Sequence, residues 1–192
     1  VTGLHYDGAG DLWWASSAGG KLTIFRRTVG GTVSAFEQPQ LAGRFVQALR
    51  VSPDRGRIAL VVTDAQGHAE FGMLRIRWAE QLSVEGWQPL PIIENDKAMT
   101  VLRDVAWQNA THLYVIGAQA AGQRLDVKAL DVDAAAITSM GPLFDAAPLR
   151  LTSSQGNERL LILTEQGKTL RHEDQYRWVP VADKLSTVTY SS

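Results

Sequence analysis

The chain has 192 residues, a formal net charge of -1 at pH 7, 45% hydrophobic residues and 20% charged ones. That length suits one domain whose core folds without disulfides or metals, and the near-neutral balance gives no ground for nucleic acid or an anionic membrane as partner. With no cysteine, disulfides, thiol nucleophiles and thiolate metal sites are excluded.

Helical periodicity is almost absent, and the longest candidate is a single turn over residues 78–82. Short apolar runs of strand length dominate instead, at 12–15, 22–25, 45–51, 58–62, 73–78, 101–107, 113–116, 125–132, 149–151, 160–163 and 176–181. No run approaches the 18 or so apolar residues of a membrane span. The sequence opens at Val1 without a charged n-region or an apolar h-region, so it says nothing about where the protein resides.

One unit recurs along the chain: an apolar strand, a polar turn usually carrying glycine, a second apolar strand, a second turn and a third strand. Leu12, Ile58, Leu113 and Leu160 hold equivalent places in it, 46, 55 and 47 residues apart. Periods of about 40 to 50 residues belong to propeller blades. The middle strands, such as Ala59–Val62 and Tyr114–Ile116, are apolar on both faces, as a strand sandwiched between neighbouring sheets requires. The reading is therefore an all-β, propeller-like domain of about four blades of antiparallel strands. The blade-like units fall at approximately 1–36, 45–93, 100–143 and 148–190. Four is the lower limit for a closed ring, so the chain is expected to be part of a larger propeller. In that case the β-prone run Leu185–Tyr190 is a strand seeking a partner, either at residues 1–6 or in another molecule. The turn after the first strand of each unit calls for a residue tolerant of positive φ, a role assigned to Gly10, Gly56 and Gly156, with Asn109 as stand-in.

The segments Asp7–Trp14, Leu49–Ala59 and Leu102–Trp107, with the following His112–Gly117, occur in an order that resembles the C-terminal β-propeller domain of LpqB-type actinobacterial lipoproteins. Arg55, inside the Pro-Asp-Gly turn, departs from the family pattern. The resemblance implies an exported protein held at the outer face of the cell membrane by an N-terminal lipid anchor, which lies outside this chain. It also implies an accessory N-terminal domain, and modulation of the MtrAB two-component system through contact with the extracellular part of its sensor kinase. The family supplies no catalytic residues to carry over.

Residue chemistry agrees with a binding module rather than an enzyme. His5, His68, His112 and His172 are too far apart to suggest a shared metal, and each borders a turn, so they read as solvated loop histidines. Asp126, Asp131 and Asp133 lack the glycine and distal glutamate of a calcium loop, and the alternation of Leu125, Val127 and Ala129 against Asp126 and Lys128 reads as an ordinary outer strand. Ser16, Ser17, Ser153 and Ser154 stand in no nucleophile elbow. No catalytic group, metal or cofactor is expected. Asn109-Ala110-Thr111 is a glycosylation sequon. Asp7 and Asp54 occupy matching turns and are expected to bond their own backbone. Asp104 is expected to cap a strand end and is the candidate for a channel-facing role.

Tryptophan is the informative residue type. Trp13 and Trp14 are adjacent, so on a strand they face opposite ways; one of them, and Trp107, should pack between blades. Trp78 and Trp87, close to Arg75 and Arg77, form the candidate partner-binding surface, since Trp and Arg dominate protein interfaces. A protein partner is thus the first reading, and a carbohydrate- or peptidoglycan-binding module is the alternative.

Overall fold

The computed structural model describes residues 2–134, 136–140, 147–153, 160–174 and 177–182. Among them the regular structure is β apart from one 3-10 turn, Pro39–Leu41. Residues 78–82, the one helical candidate, form no helix, with bends at 79–81, and Gly156 and Leu185–Tyr190 fall outside the described residues. The chain divides into two compact units, Val1–Pro91 and Ile92–Ser192.

The first unit holds two four-stranded antiparallel sheets. One is β1 (Thr2–Tyr6), β2 (Leu12–Ala18), β3 (Lys21–Arg27) and β4 (Val33–Glu37); the other is β5 (Phe45–Val51), β6 (Arg57–Thr63), β7 (Ala69–Arg77) and β8 (Ser83–Pro89). In both, spatial order follows chain order. Alternate residues of each sheet meet in one core: Trp13, Ala15, Leu22 and Ile24 from the first, and Leu49, Val51, Ile58, Leu60, Val62, Leu74 and Ile76 from the second. This is the period-two pattern of strands with one face turned to a shared core. β6 is buried on its other face too, through Ala59 and Val61. Each fully buried side chain of this size contributes about 1.5–3 kcal/mol.

The second unit repeats the plan. A short hairpin of β9 (Ile93–Glu94) and β10 (Lys97–Ala98) precedes a sheet of β11 (Val101–Trp107), β12 (His112–Ala118), β13 (Asp126–Asp131) and β14 (Ala136–Ser139). A second sheet follows, of β15 (Pro148–Ser153), β16 (Leu160–Thr164), β17 (Thr169–Asp174) and β18 (Arg177–Ala182). Strand order is again sequential in each. Tyr114, Ile116, Leu125 and Val127 pack with Leu151, Leu160 and Ile162.

The four four-stranded sheets share one irregularity. The pairing of the first strand with the second slips by a residue at Thr2/His5, Val46/Ala48, Leu102/Asp104 and Pro148/Arg150. A bulge at the same place in all four is a feature of the repeat itself, because a bulge bends its strand and increases local twist.

Several sequence expectations need correction. Gly10 does take positive φ (80°), but in the second unit of the repeat the left-handed residue is Arg55 (φ 58°), not Gly56. Asn109 is not left-handed either; its side chain accepts from the Thr111 and His112 amides and so closes the turn. His5, His112 and His172 are strand residues rather than loop ones. β13 is the third strand of its sheet rather than the outer one, and Lys128 is buried on it. The Lys128 ammonium is satisfied by Glu94 at 2.8 Å and Ser139 at 3.4 Å, with Asp126 at 3.9 Å.

Candidate functional site

The first unit gathers its polar chemistry around one carboxylate. In the turn between β1 and β2 the Asp7 carbonyl accepts from Gly10 N–H, and the left-handed Gly10 lets the chain reverse. Asp7 Oδ1 accepts from the Ala9 and Asp11 amides at 2.9 and 3.0 Å. Its Oδ2 accepts from Trp13 Nε1 at 3.0 Å and Arg55 Nε at 2.9 Å. Burial opposes ionisation of Asp7, but the Trp13 indole, the Asp11 and Ala9 amides and the Arg55 guanidinium together hold its carboxyl below the usual range. Asp54, in the matching turn, likewise bonds its own surroundings, accepting from Ser52 Oγ at 2.5 Å and Gly56 N–H at 3.2 Å.

Asp11 extends the network. Its Oδ1 accepts from Val29 N–H at 3.1 Å, and its Oδ2 accepts from Arg55 Nη2 at 2.9 Å and from Nε and Nη2 of Arg26 on β3. Arg55 thereby joins turns 44 and more residues apart. A left-handed conformation costs a non-glycine residue roughly 1 kcal/mol; two charge-assisted bonds to buried carboxylates offset it, since such bonds are about twice as strong as neutral ones.

Trp78 completes the arrangement. Its indole Nε1 donates to the Arg55 carbonyl at 2.7 Å, and the Arg55 and Arg26 guanidiniums lie over its ring at 4.1 and 4.8 Å. The residue is nonetheless 45% exposed. An exposed indole held by a hydrogen bond and two cations is fixed in place without being buried.

The sequence-derived residues thus separate. Trp78 stands at this site. Arg75 is exposed on β7, opposite Arg57 and Glu85 in the ladder, and Arg77 pairs with Glu85 at 2.6 Å. Trp87 is half-buried, with its ring over Gly72. The arginines that meet Trp78 are Arg26 and Arg55. Sequence reasoning passed over both as partners, although the anomaly of Arg55 in its turn was visible. Trp13 fills the core of its unit while Trp14 stacks on Phe25 at 5.2 Å.

In the second unit Asp104 lies inside β11, not at a strand end, and is buried. Its Oδ2 accepts from Leu151 N–H at 2.9 Å, tying β11 to β15. On the same unit an open cleft of about 550 Å³ is lined by Val101, Arg103, Gln123, Arg124, Leu125 and Glu165, with Arg103 and Glu165 paired at 2.6 Å. Among the described residues no three His, Asp or Glu side chains come together as metal ligands.

A family profile described as the lipoprotein LpqB beta-propeller domain matches residues 2–188. The chain belongs to the LpqB propeller family. It is 30% identical over 155 residues to lipoprotein LpqB of Cutibacterium acnes, a match covering 79% of this chain and 26% of the relative. The chain therefore spans about a quarter of that LpqB protein's length. Solved structures carry the same fold at low identity. One comes from a study of two prolyl endopeptidases, with TM-score 0.60, 14% identity and coverage of 94% of this chain and 27% of that one. Another is the β-propeller domain of the Trilobed protease from Pyrococcus furiosus, described as having an open velcro topology, with TM-score 0.53, 13% identity and coverage of 96% and 57%. Among the described residues of this LpqB-family chain no helix is long and apolar enough to cross a membrane.

Proposed function

We propose that this chain is a non-catalytic protein-interaction module of a lipid-anchored envelope lipoprotein, and that it acts on the MtrAB two-component system by docking the extracellular part of its sensor kinase. Family membership supports the lipoprotein setting. The observation that carries the docking surface is Trp78, an indole half open to solvent yet immobilised by Arg55 and Arg26. Hot spots combine such anchors: aromatic and arginine side chains whose rotamers are set before the partner arrives, so that little entropy is lost on binding. Sugar stacking, the alternative, needs a bare aromatic face, and the Trp78 ring already carries guanidinium groups.

The test is binding of the complete lipoprotein to the sensor's extracellular domain, measured by biolayer interferometry. Trp78→Ala should weaken binding by about 2 kcal/mol, roughly thirtyfold, as for a hot-spot residue. Its thermal midpoint should stay within a few degrees of the parent, because much of the side chain is solvent-exposed. Undiminished binding by the variant would remove Trp78 from the interface. Binding to peptidoglycan fragments but not to the sensor domain would favour the carbohydrate reading.

A further inference from the structure

We infer that Arg26 and Arg55, framed by Trp78, form a receptor for a single carboxylate side chain presented by the docking partner. The inference rests on the reading of the Trp78 surface as a docking surface and names the group that surface recognises.

Donor accounting comes first. Arg55 uses Nε on Asp7 and Nη2 on Asp11, and Arg26 uses Nε and Nη2 on Asp11. Nη1 of each arginine has no partner among the described residues, although each carries two N–H donors. The charges are also layered. The Asp7 and Asp11 side chains are 0% and 7% exposed, against 15% for Arg26 and 27% for Arg55. The carboxylates are thus the more deeply buried and the arginine side chains the more exposed members of the cluster, which turns its positive groups outward.

Rigidity is the second argument. Both guanidinium groups are held on one side by carboxylates and on the other by the indole ring. Guanidinium groups already fixed in place lose little freedom when the remaining Nη1 donor of each takes one oxygen of a carboxylate. Charge decides which anion. The two arginines are balanced by two aspartates, so the field suits a monoanion better than a phosphate dianion. Apolar surroundings agree: Trp78 and the 76% exposed Val29, whose amide bonds Asp11, offer contact to the methylene stem of an Asp or Glu. Asp54, the nearest acid in the Arg55 turn, is committed to Ser52 and Gly56.

Two-dimensional NMR of the whole chain tests this, following the indole N–H of Trp78 and the Nε–H groups of Arg26 and Arg55. The probes are a blocked peptide of alternating Glu and Gly, its Gln counterpart, and vesicles containing anionic phosphatidylglycerol. The Glu peptide should shift these three signals with roughly millimolar affinity, and the Gln peptide should bind about tenfold more weakly or not at all. Trp78→Ala and the charge-conserving Arg26→Lys should each lower affinity for the Glu peptide severalfold. Equal binding of both peptides, or shifts confined to other residues, would overturn the site. Vesicle binding without peptide binding would overturn it in favour of a headgroup. The outcome also separates from the partner reading: carboxylate binding by a lipoprotein that ignores the sensor domain keeps the receptor and removes that partner, whereas sensor binding that depends on Trp78 without any carboxylate response does the reverse.

Discussion

His5 and Asp7 stand two residues apart and respond to acid in the same direction by different routes. Burial and the nearby Arg50 charge hold His5 neutral, outweighing a hydrogen bond with the Val51 backbone and the Asp7 charge, so its pKa falls from 6.5 to about 4. An unfolded chain takes up that proton near pH 6.5 while the folded chain refuses it until about pH 4, so stability drops as pH falls through this window, by up to about 3 kcal/mol. Asp7 adds a second loss at lower pH. Its contribution is complete above the unfolded value near 3.8 and disappears as pH falls through its depressed folded value. Urea denaturation of the parent chain should therefore show a midpoint that declines steadily from pH 7 to pH 4.5. His5→Leu should flatten that decline, and should itself be tolerated at pH 7, because Nε2 of His5 is buried without a hydrogen-bond partner among the described residues. An unchanged slope in the variant would assign the acid sensitivity elsewhere.

At the level of strands and turns, the inner strands could be read from the sequence, and of the outer ones only β18, in the run 176–181, could. β6, β12 and β16 are nearly all apolar, because both of their faces are covered, and their runs of Ile, Leu and Val mark them plainly. β4, β8 and β14 have a single buried residue among them, Val84 on β8, and so leave no such apolar run. The repeated bulge was equally invisible, since it depends on register between strands rather than on residue type. The same holds for the Asp7–Arg55–Asp11–Arg26 network: its arginines are 15 to 48 positions from the aspartates they bind, and local pattern carries no information about which arginine meets which aspartate. Gly10 was legible because its turn is local; Arg55 was not, because the glycine beside it suggested the wrong left-handed position. Gly72, on β7, illustrates a third kind of constraint. A Cβ there would sit 2.5 Å from both the Gln88 carbonyl oxygen on β8 and the Trp87 ring. Gly72→Ala must displace the outer strand or the indole, and we expect a loss of about 1–3 kcal/mol in denaturant unfolding together with a change in tryptophan emission.

For the whole molecule the important fact is that each unit has its own core. The residues of the first core run from Trp13 to Val84 and those of the second from Ala106 to Ile162, with none in common. Ile58→Val and Ile162→Val, one in each, should each cost about 0.5–1.5 kcal/mol. The double variant should show the sum to within about 0.5 kcal/mol, as for sites with no shared partners; a larger coupling in calorimetric unfolding would show that the cores communicate. The sequential strand order has a consequence for how the chain acquires its structure. Among the described residues every ladder joins strands adjacent in the chain, so each sheet grows by hairpins of short sequence separation whose closure entropy is correspondingly small. Among the described residues, the buried side chains of the first core end at Val84, with Trp87 packed against them. As the polypeptide leaves the ribosome, the N-terminal pair of sheets can therefore bury the apolar faces that meet in its own core before the second pair has been made, which shortens the time that the Ile58, Leu60 and Val62 face of β6 spends exposed to other nascent chains.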